Sequence, residues 1–121
     1  MKTSSTQKIK FVSKGWGFEK WIHNSEKYCG KLLFFEKGKK CSWHYHKIKD
    51  EVFYVQSGKI KVYYSDQNDI KSSNQIILRQ GDNFHVYTGL RHRMEALEDT
   101  ELFEFSTQHF ESDSHRIEKG D

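Results

Sequence analysis

Short alternations of apolar and polar residues, broken by turn-forming residues about every 8–12 positions, run through most of this sequence. In Lys59–Tyr64 every second residue is apolar, which is typical of a strand with one buried face. No stretch of roughly 12 residues has the 3.6-residue period of an amphipathic helix. An all-β sandwich or barrel is therefore expected. The pattern predicts eight strands: Tyr28–Phe35, Cys41–His46, Glu51–Ser57, Lys59–Tyr64, Gln75–Arg79, Phe84–Tyr87, Arg91–Leu97 and Glu101–Thr107.

Length and composition restrict the classes of protein to consider. A chain of 121 residues favours one domain, and 15% aromatic residues can supply a core although 31% of residues are charged. The net charge of +3 is small and spread along the chain, so no nucleic-acid partner is expected. No apolar run approaches the roughly 20 residues of a membrane span. The N-terminus lacks an apolar signal region, so we expect a cytoplasmic protein in which Cys29 and Cys41 stay reduced.

Three histidines and one glutamate form the pattern with the clearest chemistry. His44 and His46 lie two residues apart on a predicted strand, so both side chains point to one face. Glu51 begins the next strand and returns beside them if the two strands pair, and His92 begins a later strand. Three imidazoles and a carboxylate suit a divalent transition metal such as Zn, Mn, Fe or Ni, and we expect one ion per chain.

The spacing of these residues resembles the two motifs of the cupin superfamily. Gly38-x5-His44-x-His46-x4-Glu51-x6-Gly58 matches the first motif, and Gly81-x5-Tyr87-x-Gly89-x2-His92 matches the second. Tyr87 stands where the family usually has Pro, and Ala96 where it usually has Asn, but neither change removes a ligand. The resemblance implies a double-stranded β-helix, a jelly-roll barrel with a metal in its lumen. It also implies that the metal ligands are His44, His46, Glu51 and His92, and that the turn glycines are Gly38, Gly58, Gly81 and Gly89.

A narrower resemblance precedes the barrel. The segment Gly15-Trp16-Gly17-Phe18-Glu19-Lys20-Trp21 is similar to an element of mannose-6-phosphate isomerase-like cupins. It implies that Trp16 and Glu19 contribute to a sugar-binding wall. The alternative is that Trp16 and Trp21 only plug one end of the barrel.

Other residues have less certain roles. We expect Lys31 to point outward, although it could instead reach an anionic substrate. We expect Glu104 to be an exposed strand carboxylate, the alternative being a catalytic base in the lumen. The facing of His85, a second weak catalytic candidate, stays open. The parity of the strands places Phe53, Val55 and Met94 in a dry wall around the metal.

The terminal segments suggest how the domain is completed. We expect an N-terminal arm or strand over residues 1–22, a barrel core over 28–107, and a polar tail over 109–121 that packs loosely or crosses to a partner subunit. Trp43, Tyr45 and Tyr54 have the parity that leaves the lumen and need cover. The segment Ile9–Val12 could add a strand to a neighbour's sheet edge, so a homodimer is expected.

We expect the function to depend on a bound metal ion and on a small-molecule ligand that contacts this ion. The first hypothesis is an isomerase or epimerase of a sugar or sugar phosphate, in which the metal polarises a carbonyl. The alternatives are an Fe-dependent dioxygenase and a non-catalytic cupin that binds a small molecule or supports a partner. The sequence contains no recognisable phosphate-binding motif, which weighs against a sugar phosphate.

Overall fold

A computed structural model describes residues 3–121 and contains eleven β-strands in that range. All eight predicted strands are present, with ends that shift by a few residues. None of the helical elements in the described range is long and apolar enough to cross a bilayer. The strands are β1 Lys10–Lys14, β2 Gly17–Asn24, β3 Cys29–Phe35, β4 Trp43–Tyr45, β5 Glu51–Ser57, β6 Lys59–Ser65, β7 Asn74–Arg79, β8 Asn83–Val86, β9 Arg91–Ala96, β10 Thr100–Ser106 and β11 His115–Glu118, with short 3-10 turns at Ile70–Ser72 and Glu111–Asp113.

The strands form two antiparallel sheets that enclose the lumen. Sheet A has the order β1-β2-β3-β10-β5-β8, and sheet B has the order β11-β4-β9-β6-β7. Strands distant in sequence lie side by side, as β10 does between β3 and β5. This topology confirms the all-β jelly-roll barrel, the double-stranded β-helix, that the motif spacing implied.

The core lies between the inner faces of the two sheets. In β3 the odd-numbered residues from Cys29 to Phe35 are buried, and the residues between them are only half-buried. The buried apolar cluster includes Phe53, Val55 and Met94, which confirms the dry wall expected from strand parity. The same alternation directs selected polar side chains inward, and these form the site described below.

Gly58 shows why one of the predicted turn glycines is needed. Its φ is +94°, and a Cβ at this position would lie 2.3 Å from the carbonyl oxygen of Asp99. A side chain would therefore clash with the backbone that leads into β10, besides straining the turn. The other three predicted turn glycines, Gly38, Gly81 and Gly89, also have positive φ.

The C-terminal segment is part of the barrel, so the expectation of a loosely packed or exchanged tail was wrong. Strand β11 pairs with β4 in the same chain, and the backbone N–H of Asp121 donates to the carbonyl of Lys40 at 2.9 Å. The physical reason is that β4 has an edge with unpaired backbone groups, which β11 satisfies.

Two of the observations behind the expected dimer also turned out differently. Most of the segment Ile9–Val12 lies in β1, which pairs with β2 of its own chain. Trp43 is fully buried within the chain, and its indole N–H donates to the carbonyl of Asn68 at 2.7 Å. The connection between β6 and β7 thus helps to cover this side chain within the chain, so it does not need the second subunit that was one of the two expected sources of cover. Tyr54 stays exposed.

Candidate metal centre and its cavity

A cavity of about 500 Å³ opens into the barrel between the two sheets. Its walls combine apolar side chains, such as Phe53 and Met94, with histidines, lysines and glutamates. Such a mixture of a dry wall and a few convergent polar groups is typical of a small-molecule site.

Three of the predicted ligands converge on one wall of this cavity. His44 of β4 lies directly opposite His92 of β9, and His46 follows two residues after His44. One nitrogen from each ring lies within 4.8 Å of the others, an arrangement that could hold a metal ion. The predicted common face of His44 and His46 is therefore present.

The backbone holds each ring with the same nitrogen facing the cavity. The Nδ1 atoms of His44, His46 and His92 lie 2.9–3.0 Å from the carbonyl oxygens of Ser42, Asp113 and Leu90, respectively. A carbonyl can only accept, so each Nδ1 is assigned the proton and donates. Each Nε2 is then left with a free lone pair, as a metal ligand requires.

Glu51 completes the group, as the sequence predicted. It is the first residue of β5 and is 1% exposed. Its Oε2 lies 3.3 Å from Nε2 of His46 and 3.5 Å from Nε2 of His92, yet this buried oxygen has no hydrogen-bond partner among the described residues. Each of these two rings, when neutral, turns an Nε2 lone pair toward the carboxylate oxygen, an arrangement that a cation between them would stabilise. The four side chains fit a bound metal ion on these grounds.

The electrostatic environment keeps these groups in the form that binds metal. Burial and the neighbouring His92 and His46 hold the pKa of His44 well below its usual value. Burial likewise lowers the pKa of His92. Burial would raise the pKa of Glu51, but the ammonium of Lys49 together with His46 and His92 outweighs it, and the net result is a lowered pKa. His44 and His92 stay neutral and the carboxylate of Glu51 stays charged.

Two further residues of the cavity, Lys49 and His109, were missed by sequence reasoning. Lys49 is 3% exposed, and its Nζ lies 3.3 Å from Oε1 of Glu51 and 3.1 Å from Oε2 of Glu104. The same ammonium donates to Nδ1 of His109 at 3.1 Å. Lys49 sits in the polar turn before β5, and His109 follows the last predicted strand. No local pattern indicates that either side chain enters the barrel.

The expectations that Lys31 points outward and that Glu104 is exposed were both wrong. The two residues are directly opposed on β3 and β10, and both are buried on the inner face. On β10 the phenylalanines Phe103 and Phe105 face outward instead. Parity separates the two faces of a strand but does not say which is inside, and here the charged face lines the cavity.

The remaining candidates divide between the cavity and the surface. Trp16 and Glu19 line the cavity: Trp16 stacks on Phe35 with ring centroids 4.0 Å apart, and Glu19 accepts a hydrogen bond from the indole of Trp21 at 2.8 Å. His85 lies on the exposed side of β8, where it contacts Asp50. Because His85 does not line the cavity, it is not a catalytic candidate there.

Comparison with known proteins agrees with this fold. A model of the family described as "Cupin domain" matches residues 31–106. Among solved structures, the capsular polysaccharide assembling protein CapF from Staphylococcus aureus is similar over 92% of this chain and 34% of its own, with 17% identity and a TM-score of 0.78. Another CapF structure, with the inhibitor 3-isopropenyl-tropolone, is 18% identical over 92% of this chain and 35% of its own, with a TM-score of 0.78.

An oxalate decarboxylase from Bacillus subtilis is similar over 93% of this chain and 31% of its own, with 20% identity and a TM-score of 0.79. The chain thus spans about a third of the length of these structures, and the likeness concerns the fold alone. No curated protein matches the chain significantly. Because the family model covers more than half of the sequence, including all four residues that converge at the centre, the chain belongs to the cupin domain family.

Proposed function

We propose that this cupin binds a divalent transition metal and isomerises a sugar or sugar derivative in its cavity. The observation that carries the proposal is a buried carboxylate, Glu104, in the same cavity as the histidine cluster. An isomerase of this type needs a group that polarises a carbonyl and a separate base that moves a proton between neighbouring carbons.

The metal ligands in this proposal are His44, His46, Glu51 and His92. When bound, the ion would supply Lewis acidity toward a carbonyl and its neighbouring hydroxyl. The clustering of the three imidazoles, and the approach of Nε2 of His46 and of His92 to an unpartnered carboxylate oxygen of Glu51, support this assignment. Mn, Zn, Fe and Ni all suit such a ligand set, and we propose one ion per chain.

Glu104 is the proposed base. Its Oε2 accepts hydrogen bonds from Lys49 at 3.1 Å and from Ser106 at 2.9 Å. Its Oε1 has no hydrogen-bond partner in the range 3–121 and is therefore available to take a proton from substrate carbon. Lys49 holds the carboxylate in position and also contacts Glu51, so it links the proposed base to the metal centre.

Proton NMR in deuterated water tests this function. The metal-loaded protein would be incubated with mannose, fructose, their 6-phosphates and common nucleotide sugars. The hydrogen next to the carbonyl should exchange with solvent, and Glu104→Gln should slow this exchange by at least about 100-fold while metal content is unchanged. Glu101→Gln, on the outer face of the same strand, is the matched control.

The other outcomes identify the alternative functions. Binding of a sugar by the wild-type protein without exchange would favour a non-catalytic ligand-binding or accessory role. Oxygen consumption by the iron-loaded protein with another substrate, and no sugar exchange, would favour an Fe-dependent dioxygenase. Either result would overturn the isomerase proposal.

We further propose that the protein forms a homodimer through the outer side of sheet A. Outward-facing aromatic residues cover five adjacent strands, and two neighbouring pairs stack, with centroids 5.0 Å and 5.3 Å apart. Five strands give a face about 24 Å wide, which is the scale of an interface that buries about 800 Å² on each partner. This outer aromatic face consists of Phe11, Phe18, Phe34, Phe103, Phe105 and Tyr54.

A further inference from the structure

Lys31 and Glu19 form a pair in the cavity whose hydrogen-bonding capacity is largely unused. Lys31 is 2% exposed and lines the cavity, and its ammonium lies beyond hydrogen-bond distance of the nearest carboxylate oxygen. The nearest carboxylate oxygen, Oε1 of Glu19, is 3.6 Å away and already accepts from the indole N–H of Trp21 at 2.8 Å. The ammonium also lies 4.2 Å from the centroid of the Trp21 ring. A buried donor and a neighbouring acceptor therefore both have capacity left for a ligand.

Such a pair suits a hydroxyl group better than an anion. A hydroxyl can accept from the ammonium of Lys31 and donate to the carboxylate of Glu19 at the same time. A carboxylate or a phosphate could only accept, and Glu19 would repel its charge at close range. The long separation of Nζ and Oε1 leaves the ion pair open to a bridging group.

The charges of the inner cavity point the same way. Two ammonium groups, of Lys31 and Lys49, face three carboxylates, of Glu19, Glu51 and Glu104. The net charge of these five side chains is one negative charge, and a bound divalent ion would change it to one positive charge. The resulting charge of +1 would balance one sugar oxygen that loses its proton during the reaction. No positive charge would then remain in the inner cavity to balance a phosphate dianion.

Each inner lysine already has a carboxylate within 3.6 Å. The other basic residues of the cavity lie exposed at its mouth together with two acidic residues. These groups are Lys14, Arg116 and Lys119, with Glu111 and Asp121.

From the Lys31–Glu19 pair we infer that the ligand is a neutral polyhydroxylated molecule, an unphosphorylated sugar, one of whose hydroxyls bridges these two side chains. The inference rests on the proposed function and narrows its substrate class. It makes Lys31 and Glu19 specificity-determining residues at the sheet A wall of the cavity.

Isothermal titration calorimetry of the full chain loaded with Mn²⁺ tests this inference. The probes are mannose and fructose as neutral sugars, their 6-phosphates, and gluconate as a monocarboxylate. Neutral sugars should bind at least about tenfold more tightly than the charged probes. Lys31→Met and Glu19→Gln should each weaken the binding of neutral sugars by about tenfold, because each removes a charge-assisted hydrogen bond.

Glu19→Gln gives a readout that a purely structural role would not produce. Removing the like charge should strengthen the binding of gluconate and of the 6-phosphates while the binding of mannose and fructose weakens. Lys20→Met, whose side chain lies over the ring of Phe18 on the outer face of β2, is the matched control and should leave all affinities unchanged. Thermal melting and metal content would verify that each variant is folded and loaded.

The remaining outcomes separate the two proposals. If the 6-phosphates or gluconate bind more tightly than the neutral sugars, the inferred ligand class is wrong although the sugar function stands. If neutral sugars bind but neither variant changes their affinity, the role of the Lys31–Glu19 pair is refuted. If no probe binds the loaded protein, the sugar function fails and this inference fails with it.

Discussion

At the scale of single residues, the histidine cluster is arranged before any ion binds. Three Nδ1 atoms donate to main-chain carbonyls, so the rings need little reorientation to present their Nε2 atoms. The carbonyl partners belong to Ser42, Leu90 and Asp113, and Asp113 is distant in sequence from the histidine it contacts. The side chains of the site are thus already ordered by folding, so little conformational entropy is lost when an ion binds, which favours tight metal binding.

We expect the purified protein to hold close to one transition metal ion per chain. His92→Ala should lower metal affinity at least about tenfold, because it removes one of the converging ligands. The variant should still fold, since the apolar cluster is intact. Elemental analysis and circular dichroism would measure both effects, with the exposed His85→Ala as control. A wild-type protein that stays metal-free after incubation with Mn, Fe, Ni and Zn would contradict the proposal.

His109 should make the stability of the metal-free protein depend on pH. Burial, together with the charges of Lys31 and Lys49, lowers the pKa of His109 to about 3. The unfolded chain therefore binds a proton more readily than the folded protein does between about pH 6.5 and pH 3. The free energy of unfolding should fall as the pH falls through this window.

Chemical denaturation of the metal-free protein at pH 7 and pH 4.5 would measure the effect. His109→Gln should show a smaller decrease than the wild-type protein, although His44 and His92 contribute a decrease of the same sign. His23→Gln, on β2, is the control. An equal decrease in wild type and His109→Gln would show that His109 is not responsible.

At the scale of elements, the C-terminal segment supports the metal centre. The carboxylate of Asp113 accepts hydrogen bonds from the backbone N–H groups of Lys47, Ile48 and Lys49. The carbonyl of the same residue fixes His46. The turn that carries Lys49 into the cavity is therefore held by a residue more than 60 positions later in the chain.

Asp113→Ala should destabilise the protein by about 2–3 kcal/mol, because three backbone donors lose their acceptor. It should also weaken metal binding, because the turn that carries Lys49 loses its anchor and the backbone carbonyl at position 113 is held less firmly beside His46. Denaturant unfolding and metal titration would measure the two effects, and Glu111→Ala, an exposed neighbour, is the control. An unchanged midpoint of unfolding would refute the supporting role.

The same contact has a predictable dependence on pH. Hydrogen bonds from the turn outweigh the effect of burial and lower the pKa of Asp113. A carboxylate with a lowered pKa stabilises the fold above its ordinary pKa, and this stabilisation is lost as the pH falls through the lowered value. The difference between wild type and Asp113→Ala should accordingly shrink in strong acid.

At the scale of the whole molecule, the two faces of sheet A have opposite roles. The inner side carries the charged residues of the cavity, and the outer side is the outer aromatic face. Two of its residues, Phe11 and Phe105, are 57% and 58% exposed. A sheet face this rich in exposed aromatic residues is typical of an interaction surface.

We expect light scattering at micromolar concentration to give twice the chain mass of 14.5 kDa. Phe105→Asp should convert the dimer into a monomer, because it places a charge in the centre of an apolar interface. Ile77→Asp, an exposed apolar residue on sheet B, is the control and should leave the dimer intact. A monomeric wild-type protein would refute the proposed dimer.

The barrel class and the meeting of His44, His46 and Glu51 were predictable from the sequence, because both depend on local spacing. Two histidines separated by one residue share a face of a strand, and a glutamate after a short turn returns to the same edge. Turn glycines at fixed offsets set where each strand ends, as the positive φ of Gly58 illustrates. Strand parity likewise placed Phe53 and Met94 in the core.

The remainder of the cavity depends on how the two sheets and their connections pack. The sequence places Lys31 and Glu104 each on a definite face of its own strand. Which of the two faces is enclosed depends on how the two sheets close. Lys49 and His109 lie in connections, whose positions are set by contacts with residues distant in sequence. The physical reason is that a period of two reports only relative orientation along a strand. Burial of a charged residue depends on partners that the chain brings together when it folds.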